Sequence, residues 1–155
     1  MLTLAIDPGV SHLAWALGTD DRLAVVGLIK NPGLKNENLG YFYAERLPFS
    51  HLTVIERSHF YKGESIYLLQ DLLDVNIIAG YIAGVKSGKL ISVAKWRGGP
   101  VPKKVQAGRT FKRLRPEELA ILNNPKSAKD VDNNIMDAVG ILFSTIGRFE
   151  DAEED

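Results

Sequence analysis

Three acidic residues lie far apart in the chain but at matching places in the segments that carry them. Asp7 closes the apolar run Leu2-Thr3-Leu4-Ala5-Ile6, and Glu56 closes Leu52-Thr53-Val54-Ile55. Asp137 sits inside the helical stretch from Asn134 to Ile141. A carboxylate at the end of an apolar strand is costly to keep ionised unless a counter-charge stands beside it. Two such strand ends and a helix bearing a third acid therefore ask for a shared cation, the arrangement a divalent-metal nuclease requires. Magnesium suits this donor set, with manganese as substitute, because hard cations take oxygen ligands and keep waters that a phosphate can replace. Zinc does not suit it: there is no cysteine, and His12, His51 and His59 lack ligand spacing.

The elements that must hold these acids can be read from the patterning. Leu2 to Ile6, His12 to Leu17 and Leu23 to Ile29 are β-like, and Pro8-Gly9 and Gly18-Thr19-Asp20-Asp21 between them are turn chemistry, which predicts an antiparallel meander. A short helix, Asn36 to Leu47, leads to a strand ending at Glu56. A crossover of this kind favours parallel pairing beside the first strand, which puts Asp7 and Glu56 next to each other at carboxyl ends. Apolar residues then recur at helical spacing from Glu64 to about Ala83, over an arc wider than one sheet face demands. That width fits a buried central helix and also a dimer interface.

Lys89 to Lys95 reads as a fifth strand, and Trp96 to Leu114 as a loop with one short ordered element. A short helix opens at Arg115-Pro116-Glu117-Glu118 and stops at Asn123-Asn124-Pro125. Ser127-Ala128-Lys129-Asp130 has capping-box spacing, so a last helix is expected from about Ala128 to Gly147. On it Asp130, Asn134 and Asp137 would share one face. The order β-β-β-α-β-α-β-α-α predicts an α/β fold of ribonuclease H-like type, a five-stranded mixed sheet flanked by helices.

At 155 residues the chain is the size of one domain, expected over 1–148, with an acidic, disordered tail over 149–155. Its 45% hydrophobic and 25% charged residues are those of an ordinary globular protein. No apolar run reaches spanning length and no signal-peptide pattern opens the chain, so no membrane association is expected and a cytoplasmic location is. The net charge of zero conceals segregation. Eight cations and no acid lie between Lys95 and Arg115, and five acids occupy the last six residues. The basic stretch reads either as a polyanion-binding patch or as a solvated surface.

Taken together, Ala5-Ile6-Asp7-Pro8-Gly9 with Ser11, then Val54-Ile55-Glu56, then Asn134-Ile135-Met136-Asp137-Ala138-Val139-Gly140-Ile141 resemble the three-part signature of the RuvC family of Holliday junction resolvases. The compact size, acidic tail and divergent middle look more like a phage-type or distant member. The resemblance implies a metal-dependent endodeoxyribonuclease, acting as a homodimer on branched, four-way DNA and leaving 5′-phosphate and 3′-hydroxyl ends. It implies Asp7, Glu56 and Asp137 as ligands of two magnesium or manganese ions, about 4 Å apart in such sites.

The family usually carries Asp or His three residues before the last acid, where this chain has Asn134. An amide oxygen can coordinate a divalent ion, but it adds less charge and cannot act as a base. Asp130 is placed to compensate, unless it serves only its capping box. The resemblance also associates an aromatic just after the second acid with the junction centre; His59 falls at that place, and Phe60 and Tyr61 follow it. Each could stack on an unpaired base, worth on the order of 1–3 kcal/mol, or pack on the sheet edge. Lys95, Trp96, Arg97, Lys103, Lys104, Arg109, Lys112 and Arg113 resemble a basic segment of the family that would bind DNA, largely through phosphates.

Three other readings stay open. One is a non-catalytic junction-binding module in which Asn134 marks a decayed site, and another is a ribonuclease H-like enzyme on a different nucleic acid. The third, an ATP-handling protein of the actin and sugar-kinase group, is opposed by length, since those sites form between two such domains.

Overall fold

The structure, a computed structural model, describes residues 1–59 and 66–149, with the side chains of 66–68 left out. Five strands form one mixed sheet in the order β3-β2-β1-β4-β5: β1 (Thr3–Asp7), β2 (His12–Gly18), β3 (Leu23–Lys30), β4 (Leu52–Arg57) and β5 (Lys89–Ser92). The first three make the expected antiparallel meander, and β1–β4 and β4–β5 are parallel. Both parallel links are made by helices, α1 (Asn36–Arg46) and α2 (Ile66–Lys86). Among the described residues no helix is long and apolar enough to cross a membrane.

Strand alternation divides the interior into two cores. Leu4, Ile6, Leu13 and Ile55 meet Leu39 and Tyr43 of α1 and Ile78, Ala79 and Ile82 of α2 on one face. On the other, Ala5, Ala14, Ala16 and Val54 meet Ala138, Val139, Ile141, Leu142 and Phe143 of α6 (Asn133–Thr145), with Trp96 beside them. The small alanines on this second face give α6 a shallow floor. Gly140 completes the fit: a Cβ there would stand 2.7 Å from the Trp96 ring and 3.1 Å from Thr110 Oγ1.

Three expected boundaries are corrected. The fifth strand ends at Ser92, and Val93–Arg97 is a helix, α3: the Ser92 side chain accepts the Lys95 backbone N–H, and Gly98, at φ 72°, ends the turn in the left-handed region. The expected loop over Trp96 to Leu114 contains a ten-residue helix, α4 (Lys103–Lys112), whose buried positions are Gln106 and Thr110. These are polar residues at i and i+4, so the helix shows no apolar period.

The last helix begins at Asn133, capped by Asp132, whose Oδ1 accepts the backbone N–H groups of Asn134 and Ile135. The Ser127–Asp130 capping box belongs to a separate 3₁₀ turn, Ala128–Asp130, and Val131 behind it is extended. Between α4 and this turn, α5 (Pro116–Ile121) ends at Asn123 and Asn124, both at positive φ as the stop signal there predicts. At the carboxyl end, Phe149 packs on the second core, inside the segment expected to be tail, while Glu150 to Asp155 lie outside the described residues.

Candidate metal centre

The β1–β4 register pairs Ile6 with Ile55, so the next step places Asp7 beside Glu56. Both side chains fall on the α6 face, in phase with Ala5 and Val54. Asp137, 3% exposed, looks onto this strand-end pair from α6. Asn134 lies one turn before Asp137 on the same face of the helix.

Two cations reach the same place from the basic stretch. Lys103, at the first position of α4, sets its Nζ 2.6 Å from Asp137 Oδ2, and Arg97 at the end of α3 brings Nη2 to 3.9 Å. The Arg97 guanidinium lies over the Trp96 ring, and its Nε is buried with no hydrogen-bond partner among the described residues. Trp96 is 2% exposed, and its Nε1 donates to Glu56 Oε2 at 2.6 Å.

The electrostatics follow from this crowding. Burial raises the Asp7 carboxyl well above the usual range, and repulsion from Glu56 and Asp137 raises it further, while Lys103 and Arg97 oppose the shift. Burial also raises Glu56; the Trp96 indole N–H lowers it, Asp137 raises it, and the two cations lower it again. The three acids therefore share one field in which negative charge is undercompensated.

The donor chemistry fits a hard divalent ion: carboxylate oxygens, an amide, and a surplus of negative charge on buried groups. The acids are not drawn together as they would be around an ion. Among the described residues, no three His, Cys, Asp or Glu side chains group at metal-ligand spacing. Asp137 is turned to Lys103 instead.

Other expected site residues lie apart. Asp130 is exposed, and its Oδ2 accepts the backbone N–H groups of Lys126 and Ser127 and the Ser127 hydroxyl, as a capping acid does. It is not on α6, so the face it was expected to share with Asn134 and Asp137 does not exist. Trp96, expected among the DNA-binding residues, has its ring sealed beneath Gly140. Arg113 is spent internally, donating Nε to the Arg148 carbonyl at 2.8 Å and lying over Phe149. Lys95, Lys104, Arg109 and Lys112 are exposed on α3 and α4. Phe60 and Tyr61 lie outside the described residues.

One histidine that lacks ligand spacing in the sequence is nevertheless at the site. His12 opens β2 in phase with Ala14 and Ala16, hence on the α6 face, and its Nε2 is 2.5 Å from Asn134 Nδ2. Strand alternation was the signal that could have found it.

No family model matches the sequence, and no curated protein does. Solved structures do match in fold. RuvC of T. thermophilus in complex with a Holliday junction substrate superposes with a TM-score of 0.59 at 15% identity, over 97% of this chain and 96% of that one. The yeast mitochondrial Holliday junction resolvase gives 0.50 at 13% identity, over 96% and 83%. At such identities the likeness establishes the architecture: the chain has the ribonuclease H-like fold of the RuvC-type resolvases.

Proposed function

We propose that this protein is a divalent-metal-dependent endonuclease that cuts four-way DNA junctions as a homodimer. The observation that carries the reading is the convergence of Asp7, Glu56 and Asp137 from β1, β4 and α6 into one undercompensated field, faced by Lys103 and Arg97. Lys103 and Arg97 pair with Asp137, but Asp7 and Glu56 stay buried and raised by burial and by their acidic neighbours, which suits a site that takes further cationic charge.

Asp7, Glu56, Asp137 and the Asn134 amide oxygen would hold magnesium or manganese, as two ions. Bound there, the metal supplies an activated water and stabilisation of the leaving oxygen in phosphodiester hydrolysis. The chain's own groups do the rest. Trp96 fixes the Glu56 carboxylate, Arg97 stands 3.9 Å from Asp137 as a half-buried counter-charge, and Lys103, 50% exposed, is free to swing from Asp137 to a phosphate oxygen. Lys95, Lys104, Arg109 and Lys112 hold the backbone of the junction arms without reading sequence.

The dimer is formed through α2. Leu69, Leu73, Ile77, Tyr81 and Val85 follow one another at four-residue steps and are each 38–51% exposed, while Gly80 and Gly84 leave open space above the helix. An apolar stripe of this length suits a second copy of the same helix, and a two-fold axis there would present two sites to two symmetric strands.

The test incubates a labelled four-way junction with the parent protein and with Asp7→Asn, in magnesium and separately in manganese. Paired nicks with 5′-phosphate ends that vanish in the variant, while binding persists, are the expected result; equal cutting by both proteins sinks the reading. A second reading, a junction-binding module without cutting, is favoured by the neutral Asn134 and by the Lys103 ammonium on Asp137. Its mark is tight binding with no nicks in either metal.

A further inference from the structure

Asn134 is the weak point of the proposed donor set, because an amide has one accepting end and one donating end. A carboxylate offers a cation the same oxygen whichever way it is turned. An amide turned the wrong way offers an NH₂ group, which repels a cation. If Asn134 is to serve, something must hold its orientation.

The structure supplies that group from the other side of the second core. His12, at the first position of β2, reaches across to α6, and its Nε2 stands 2.5 Å from Asn134 Nδ2 although the two residues are 122 positions apart. Both side chains are half-buried, so bulk water does not compete freely for the contact. The Asn134 backbone is fixed independently by its N–H bond to the Asp132 cap at 2.9 Å. With the helix start anchored, the remaining freedom of the side chain is rotation of the amide.

We infer that His12 is a positioning residue for the metal centre: its Nε2 accepts the Asn134 NH₂ and so leaves Oδ1 as the end available to a divalent ion. The inference rests on the proposed metal-dependent reading. It assigns the imidazole the Nδ1–H tautomer, because Nε2 must be bare to accept. Ligating imidazoles are oriented by partners of this kind, and loss of an outer partner costs about 10–100-fold in metal affinity. Here the roles are exchanged, with the imidazole outside and the amide on the ion.

The test uses the full chain and manganese alone as probe, measured by calorimetry and by manganese spin resonance, for the parent, His12→Phe, His12→Gln, Asn134→Asp and the double variant His12→Phe/Asn134→Asp. His12→Phe keeps a ring in the core but has no acceptor, and manganese affinity is expected to fall about 10–100-fold. His12→Gln can accept through its amide oxygen and should hold affinity near the parent's. In the double variant either carboxylate oxygen serves, so the loss seen with His12→Phe should disappear.

Unchanged affinity in His12→Phe overturns the inference, and so does a double variant as weak as His12→Phe, which would make the imidazole itself the ligand. Nitrogen-resolved magnetic resonance of the metal-free parent gives a check that needs no ion: a proton on Nε2 also overturns it. A parent protein that binds no manganese at all overturns the metal-dependent reading first and takes this inference with it.

Discussion

Lys103 Nζ lies 2.6 Å from Asp137 Oδ2, and the two partners differ sharply in environment: the lysine side chain is 50% exposed, the aspartate 5%. A solvent-facing cation thus neutralises a buried anion that the proposed chemistry needs. Loss of the ammonium leaves Asp137 with Arg97 at 3.9 Å as its remaining cation among the described residues. Lys103→Met should lower cutting at saturating junction by about 10–100-fold while binding changes much less, the pattern of a group that acts after binding. Lys104→Met, one position along and exposed, should instead weaken binding and reduce the slope of affinity against salt by about one. Single-turnover cutting and salt-dependent binding on the same junction separate the two.

The raised carboxyls at Asp7 and Glu56 give a stability prediction whose sign can be worked out. Each binds its proton more tightly in the folded protein than in the unfolded chain. Between the ordinary carboxylate range and the raised folded values, the folded state therefore holds more protons. The contribution of these groups is most favourable below the unfolded value and is lost as pH rises through the folded one. Asp7→Asn removes the larger share, so the variant should be more stable than the parent without metal at neutral pH, by about 0.5–2 kcal/mol, with the gap closing on acidification. Urea titrations at several pH values measure the gap; saturating magnesium should narrow it at neutral pH by stabilising the parent alone. The same substitution should cost at least about 100-fold in cutting, the upper end for residues that only support a metal site.

Much of this was legible because local signals and long-range consequences agreed. The turns at Pro8-Gly9 and around Asp20 fix an antiparallel meander, the α1 crossover fixes a parallel β4, and together they put Asp7 next to Glu56. The illegible parts are those where polar residues do what apolar ones usually do. In α4 the packed face is Gln106 and Thr110, so no hydrophobic period announces a helix. Ser127 to Asp130 is a true capping box, but it closes one 3₁₀ turn, and Asp132 then caps α6 afresh. Asp130 has the spacing of a site acid only if one helix runs through Val131, which is extended and separates the 3₁₀ turn from α6. The role of His12 is not legible locally because its partner is brought to it only when α6 crosses the second face of the sheet.

Trp96 offers a direct contrast between a DNA-binding role and a positioning role. Its ring is buried and its Nε1–H lowers the Glu56 carboxyl toward ionisation. Trp96→Phe keeps most of the ring and deletes that donor. Junction affinity without divalent metal should stay within about threefold, because surface-phosphate contacts carry affinity. Metal affinity should fall, since Glu56 becomes harder to ionise. Loss of junction affinity with normal metal binding would reverse the assignment.

Glu118 is the fold's most exacting buried charge and lies outside the proposed site. It is 0% exposed and accepts the backbone N–H groups of Leu23 and Arg115, both at 2.8 Å, and Arg148 Nη1 at 2.5 Å. Through it the start of β3, the cap of α5 and the chain beyond α6 are tied together. Glu118→Ala strands two backbone donors and a guanidinium, and should cost about 3–5 kcal/mol. Glu118→Gln keeps an acceptor for one backbone donor and should cost less. Chemical denaturation monitored by tryptophan fluorescence ranks the three proteins, and a near-neutral Glu118→Ala would mean the network contributes nothing to holding α5 on the sheet.

In the proposed reading, the α2 stripe is the surface that pairs two copies for coupled cutting. Leu73, Ile77 and Tyr81 lie at its centre, 39–44% exposed, while Ile78, Ala79 and Ile82 on the opposite side of the helix are fully buried. A charge placed at Ile77 therefore leaves the core intact and acts on whatever covers the stripe. If two copies pack there, Ile77→Lys brings like charges together across the two-fold axis, and the dimer should dissociate with little change in the unfolding midpoint of the isolated chain. Sedimentation measures the first effect. A junction carried on supercoiled plasmid measures the second: the parent should give linear product from coupled nicks, and the variant nicked circles from one cut at a time. A variant that stays dimeric places the interface elsewhere, and a monomeric variant that still linearises plasmid separates paired cutting from a preformed dimer.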